Sequence, residues 1–261
     1  MDSTSLAAYL DRIGAERPAR PTTDALRDLH LRHLRTVPFE NLSLHLDEDI
    51  VLDEKALVAK VVEARRGGFC YELNGAFGAL LRALGFEVSL LQARVYDDTG
   101  HPGIPYDHLA LRVETVDGGP WLADVGFGVH SHYPLALDDR TDQPDPAGTF
   151  RLSDAPGGDL DVSRDGKPQY LLDLRPRALR DFTAGAWYHR TSPASHFTRS
   201  LVCSLLTEHG RVTLSGHTLK ITVGDEHRTS EIASDADLLA AYRDHFGITL
   251  DRLPKEPEQH P

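Results

Sequence analysis

The sequence predicts an α+β protein in which helices and strands are segregated along the chain rather than alternating. Three observations predict it. Residues 1–85 carry apolar side chains at helical spacing. After Gly85 the period drops to two and stays strand-like to about residue 186. From 187 to 261 short strand runs mix with one well-capped helix.

The elements follow in order. Leu6, Tyr9, Leu10 and Ile13 share one helical face. Thr23 and Asp24 cap a second helix that turns Leu26, Leu29, His33 and Leu34 inward and stops before Pro38. A third starts near Asp53 and runs through Leu57 and Val61 to Arg65 and Arg66, where Gly67 and Gly68 end it. A fourth starts at Cys70, with Leu73, Phe77, Leu80, Leu81 and Leu84 as its stripe and Gly85 as its stop. Phe86–Tyr96 reads as a strand. In His108–Glu114 apolar and polar residues alternate as in a half-buried strand. Asp117-Gly118-Gly119-Pro120 signals a turn, and Trp121–Phe127 a further strand. Between Leu135 and Pro168, Asp, Pro and Gly predict loops with short strands, and Tyr170–Leu174 is a strand. Trp187–Thr207 fits either helix or loop. Arg211–Leu214, Thr218–Val223 and Arg228–Ile232 predict a three-stranded meander. Asp235 then caps a helix carrying Leu238, Leu239, Tyr242 and Phe246, ended by Gly247.

Composition narrows the function. The 261 residues are 40% hydrophobic with net charge −12, a poor match for nucleic acid or an anionic membrane. The first residues, MDSTSLAAYLDRIGAERP, lack a basic start followed by an apolar stretch, and no apolar run approaches the ~18 residues of a span. With only Cys70 and Cys203, the expectation is a reduced, cytoplasmic protein with no required disulfide. Cys70, His101, His108 and Asp124 lack paired metal-ligand spacing, so no metal is expected.

Chemistry concentrates at Arg65-Arg66-Gly67-Gly68-Phe69-Cys70-Tyr71-Glu72-Leu73-Asn74. A cysteine in the first turn of a helix, beside two arginines, is set where a thiolate is favoured. The glycines admit close backbone approach, and helix-start N–H groups suit an oxyanion. The plainer alternative is a small buried hydrophobe. A cysteine nucleophile needs a base, and the base an orienter. His108 lies on one face of a strand. Asp124 interrupts the apolar run Trp121-Leu122-Ala123-Asp124-Val125, where an unpartnered carboxylate costs several kcal/mol. His108 is its candidate partner, although a tight hairpin centred at Gly118–Gly119 puts the two out of register, so a bulge or a longer loop is required.

Together RRGGFCYELNGAF, VPFENL, DHLALRV, WLADVGFG and SPASHFTRS, in this order from Val37 to about Ser200, resemble the arylamine N-acetyltransferase family. The resemblance implies a helical bundle over 1–85 carrying the cysteine, a β-barrel over 86–186 carrying His and Asp, and a linker with an α/β lid over 187–261, with a papain-like placement of cysteine on helix and histidine on strand. It implies a triad of Cys70, His108 and Asp124. Phe39, Phe127 and Phe197 would line the acceptor pocket. Gly126 and Gly128 would admit the acyl arm of the cofactor, and Glu40 would bridge to Arg65. Cys203, outside these motifs, reads as structural, while His196 and His217 are lid-region candidates for cofactor contact.

The implied chemistry is acetyl transfer from acetyl-CoA through a Cys70 thioester to an arylamine or hydrazine, with that small molecule and CoA as partners and no nucleic acid or membrane. The main alternative is a related amide synthase that moves a longer acyl chain onto an aromatic amine. A thiol hydrolase is compatible with the order Cys, His, Asp but not with the VPFENL and DVGFG contexts.

Overall fold

The computed structural model describes residues 1–257. Five helices come first, interrupted by one two-residue strand. They are α1 (Ser3–Arg12), α2 (Thr23–Thr36), β1 (Phe39–Glu40), α3 (Leu42–His45), α4 (Glu54–Val62) and α5 (Cys70–Ala83). Asp2, Thr22 and Asp53 cap α1, α2 and α4 with their side-chain oxygens. The third helix thus stops short of the arginines. Beyond it Arg65 adopts a left-handed φ of 50° and the chain turns back toward α5.

Helix α5 is the hub. Every residue from Cys70 to Leu81 is buried, so its apolar stripe is only the most conspicuous part of a fully enclosed surface. Its core joins Tyr9, Leu26, Leu29, Leu57 and Val61 of the other helices to Leu109, Leu111 and Val113 of a strand.

The next eight strands are β2 (Glu87–Val95), β3 (His108–Thr115), β4 (Gly118–Ala123), β5 (Leu135–Ala136), β6 (Gln143–Asp145), β7 (Gly148–Asp154), β8 (Leu160–Arg164) and β9 (Lys167–Arg177). They form one antiparallel sheet, ordered β5-β4-β3-β2-β9-β8-β7-β6. The sheet curls into a nearly closed barrel, filled by Leu91, Leu122, Phe150, Leu152, Val162, Tyr170 and Leu172. Its two edges are joined by a side chain. Gln143 of β6 accepts from the Ala136 N–H of β5 at 2.7 Å and donates to the Ala136 carbonyl at 2.9 Å, imitating a strand pair.

Two expectations fail here for local reasons. The turn between β3 and β4 is Val116–Asp117, not Gly118–Gly119, and a register shift separates Val113 from Thr115. Strand β4 ends at Ala123 rather than Phe127, which releases Asp124 from the ladder.

The segment 187–207 resolves into the end of α6 (Thr183–Thr191), α7 (His196–Arg199) and β10 (Val202–Leu206). β11 (Gly210–Ser215), β12 (Thr218–Val223), β13 (Glu226–Glu231) and α8 (Asp235–Phe246) follow. The meander is therefore larger than expected: its sheet has five strands, in the order β1-β10-β11-β12-β13. Phe39 pairs with Ser204 and Glu40 with Cys203. Tyr242 and Phe246 of α8 pack with Leu214 and Leu219, while Gly247 closes the helix in the left-handed region. Among the described residues no helix is long and apolar enough to cross a membrane.

Candidate active site

Cys70 stands at the head of α5, and a buried ionic network holds that helix end. Arg66 meets Glu40 at 3.0 Å and Glu48 at 3.1 Å, Lys60 meets Glu72 at 2.6 Å, and Ser43 links the two pairs through Lys60 and Glu48. Glu72 also reaches back to the Phe69 N–H at 3.3 Å, supporting the helix start. The expected Glu40–Arg65 bridge does not form. The left-handed turn at Arg65 sends that side chain to solvent and turns Arg66 inward instead. Burial alone pushes the Glu40 carboxyl up, but Arg66 and Lys60 overcome it and hold the group below its usual range.

His108 opens β3, and Asp124 sits just past the end of β4. Their side chains meet, His108 Nε2 to Asp124 Oδ2, at 2.7 Å. Asp124 is 1% exposed, and its remaining lone pairs are filled. Oδ1 accepts from Asn74 at 2.8 Å and from the Gly126 N–H at 3.0 Å, and Oδ2 also accepts from Tyr170 at 3.3 Å. This satisfies the burial cost that the sequence flagged. Burial disfavours charge on both partners, yet each stabilises the other's charge. The Asp124 carboxyl is held far below its usual range, and His108, buried but facing Asp124 and then Cys70, is pushed up to about 10. Asp124 thus engages Nε2 of His108 and leaves Nδ1 to other partners.

Cys70 and His108 both line a cavity of about 800 Å³. Phe39, Phe127 and Phe197 line it too. Phe127 stands edge-on to His108 with ring centres 5.2 Å apart, and Phe39 lies 6.1 Å from Phe197. Gly126 and Gly128 are on the same wall, for separate reasons. A side chain on Gly126 would place its Cβ 2.8 Å from Cys70 Cα, so the backbone passes the helix start only because no Cβ is there. Gly128 adopts φ +89° beside the Phe39 ring.

Several residues at this site were not singled out in the sequence. Asn74 was readable in principle, because it stands one helical turn beyond Cys70 and so on the same face. Tyr170 and His130 had no local signal. Tyr170 Oη lies 3.3 Å from His130 Nε2, and burial lowers His130 to about 4, so it is neutral near pH 7. His189 of α6 lies 3.0 Å from Asp107, next to His108, and 3.0 Å from Ser195 Oγ. That hydroxyl is spent on capping α7, so these three residues tie the α6–α7 segment to the mouth of the barrel. His196 lines the cavity. His217 does not; it faces Glu256 on the far lobe. Cys203 is fully buried in β10, and burial raises its thiol well above the usual value.

Comparison with known proteins agrees with this architecture. The family model described as N-acetyltransferase matches residues 22–254. An arylamine N-acetyltransferase of Mycolicibacterium smegmatis is 35% identical over 258 residues, covering 95% of this chain and 93% of that protein. The solved arylamine N-acetyltransferase of Salmonella typhimurium superposes with TM-score 0.87 at 33% identity, over 95% of this chain and 92% of that one. The Mycobacterium marinum enzyme, solved in complex with CoA, superposes with TM-score 0.84 at 33% identity, over 93% of this chain and 92% of that one. With its fold, its motifs and nearly its whole length matched, the chain belongs to the arylamine N-acetyltransferase family.

Proposed function

We propose that this enzyme acetylates arylamines or arylhydrazines by a two-step exchange through Cys70, with acetyl-CoA as donor. The observation that carries the reading is the pairing of His108 with the buried Asp124, with His108 and Cys70 both lining one cavity. A charged His108 is the counter-ion that a Cys70 thiolate needs.

In the first step Cys70 Sγ attacks the acetyl carbonyl of acetyl-CoA. The new C–S bond replaces the bond to CoA sulfur, and His108 gives its proton to the departing CoA thiolate. The N–H groups at the start of α5 stabilise the oxyanion of the tetrahedral intermediate. In the second step the amine attacks the Cys70 thioester, His108 takes the amine proton, and the thiolate leaves. Asp124 keeps Nδ1 of His108 directed at sulfur throughout and stabilises the imidazolium. Phe39, Phe127 and Phe197 stack against the flat acceptor. Gly126 and Gly128 leave room for the acyl arm of CoA. Arylamines are largely unprotonated near neutral pH, so the attacking lone pair is available without help from the pocket.

The decisive experiment is mass spectrometry of the protein mixed with acetyl-CoA alone. One acetyl group is expected on Cys70, lost when an arylamine is added and absent in Cys70→Ser. Folded protein that acquires no acetyl group overturns the reading.

A further inference from the structure

His30 is a buried titratable group with no part in the two-step exchange. It lies on α2, fully enclosed and edge-on to Phe77 of α5, with ring centres 6.0 Å apart. Both of its nitrogens are engaged, and both by main chain. Nε2 accepts the Asp124 N–H at 3.2 Å, and Nδ1 donates to the His132 carbonyl at 2.9 Å. These partners assign the tautomer, because an N–H can only donate and a carbonyl can only accept. The ring therefore carries its proton on Nδ1 and is neutral. Burial favours the same state, lowering His30 to about 4 against the pull of the His132 carbonyl, Asp124 and Asp145. The nearby imidazoles of His33 and His130 are also held neutral by burial.

The two bonds span one loop. Strand β4 ends at Ala123 and β5 begins at Leu135, so no ladder holds the residues between. This stretch carries Asp124, and it carries Gly126, Phe127 and Gly128 of the cavity wall. An irregular segment keeps one conformation only where its main-chain groups find fixed partners. At the far end Asp145 assists, accepting from the His132 N–H at 2.9 Å. At the near end Asn74 takes the Val125 N–H and His30 takes the Asp124 N–H. A buried imidazole costs free energy that is recovered only when its nitrogens are satisfied. His33, one turn along α2, leaves Nδ1 without a partner among the described residues, so the complete pairing of His30 is not a general feature of this core.

We propose that His30 is a positioning residue for the reaction: by holding the main chain at both ends of the segment 124–132, it keeps the Asp124 carboxylate on His108 and the glycine wall against the head of α5. This rests on the roles proposed for Cys70, His108 and Asp124. Movement of the loop by about 1 Å would break the 2.7 Å contact between His108 and Asp124, and misplacements of that size cost up to about 100-fold in rate.

The test follows alkylation of Cys70 by iodoacetamide against pH in the full-length protein, read on the Cys70 peptide by mass spectrometry. It needs neither acetyl-CoA nor an amine. His30→Leu keeps an apolar contact with Phe77 and loses both bonds. Its rate at pH 7 should fall by at least about tenfold, and the midpoint of its rate–pH curve should rise, because the thiolate loses a fixed counter-ion. His30→Gln, whose amide oxygen reaches about as far as Nε2, should recover most of the wild-type rate. His30→Asn, whose amide reaches only about as far as Nδ1, should not. A purely structural histidine would lower the urea midpoint of all three variants and leave the pH midpoint of the folded protein in place. That result overturns the proposal, and so do equal alkylation rates in the glutamine and asparagine variants, which decide the matter if the leucine variant does not fold. Wild-type Cys70 that titrates like an ordinary thiol is a different result, and it removes the thiolate reading beneath the proposal.

Discussion

Asn74 donates its side-chain amide to Asp124 Oδ1 at 2.8 Å and to the Leu109 carbonyl at 2.6 Å, while its own oxygen accepts from the Val125 N–H at 2.9 Å. The helix that carries Cys70 therefore also fixes the carboxylate that orients His108. Asn74→Ala should leave Asp124 short of a donor. It is expected to cost about 1–3 kcal/mol of stability and to slow acetyl loading by about 10- to 100-fold. Denaturant melts and single-turnover loading measure the two effects separately.

In the proposed mechanism Asp124 also controls the thiol through His108. In Asp124→Asn the charge that holds His108 at about 10 is gone, and burial then favours the neutral ring. Alkylation of Cys70 by iodoacetamide at pH 7 should slow by at least about tenfold. An unchanged rate would uncouple Asp124 from the cysteine.

Gly126 has no room for a Cβ without a shift of its neighbours. Its Cβ would stand 2.7 Å from Asn74 Nδ2 and 3.0 Å from the Cys70 carbonyl. Gly126→Ala should displace the head of α5, costing about 1–3 kcal/mol as overpacking does. Loading of Cys70 should fall even in protein that remains folded by circular dichroism.

The two adjacent arginines make an internal control. Arg66→Met leaves Glu40 buried without its main partner and should cost about 3–5 kcal/mol. Arg65→Ala alters an exposed side chain and should stay within about 0.5 kcal/mol. Equal effects in urea unfolding would contradict the ion-pair assignment.

Acid should destabilise the fold through buried imidazoles. Burial lowers His30 and His130 to about 4 and His33 to about 3. Below pH 6.5 the unfolded chain takes up protons that the folded one refuses, so stability falls as pH falls. From pH 7 to 5 each of the three costs about 2 kcal/mol, against a gain of about 1 from His108, whose raised value works in the opposite sense. Urea midpoints should drop clearly over this interval, and His33→Phe should flatten the drop whatever it does to stability at pH 7.

Helices α1, α2 and α4 were readable because each buries one stripe and carries a side-chain cap. The thiol was readable because glycines and arginines at a helix start are a local signal. Asp124 announced itself by the cost of a carboxylate in an apolar run. What surrounds it was not readable. Tyr170 reaches Asp124 from β9, and His130 meets Tyr170 from a loop, with nothing in their own segments to mark them. The choice of Arg66 over Arg65 turned on one backbone angle. Placing His108 against Asp124 needed a turn two residues earlier than the glycines suggested and a bulge in β3.

The pairing of Phe39 and Glu40 with Ser204 and Cys203 has a consequence for biosynthesis. The support of the α5 head and one wall of the cavity are made early, but the strand that completes them leaves the ribosome much later. At ordinary elongation rates that interval is on the order of ten seconds. Throughout it the nascent chain carries an exposed cysteine and the unpaired edge of β1. The reactive centre is therefore among the last parts of the molecule to mature, and premature termination before β10 yields a polypeptide with every motif of the thiol segment and no finished pocket.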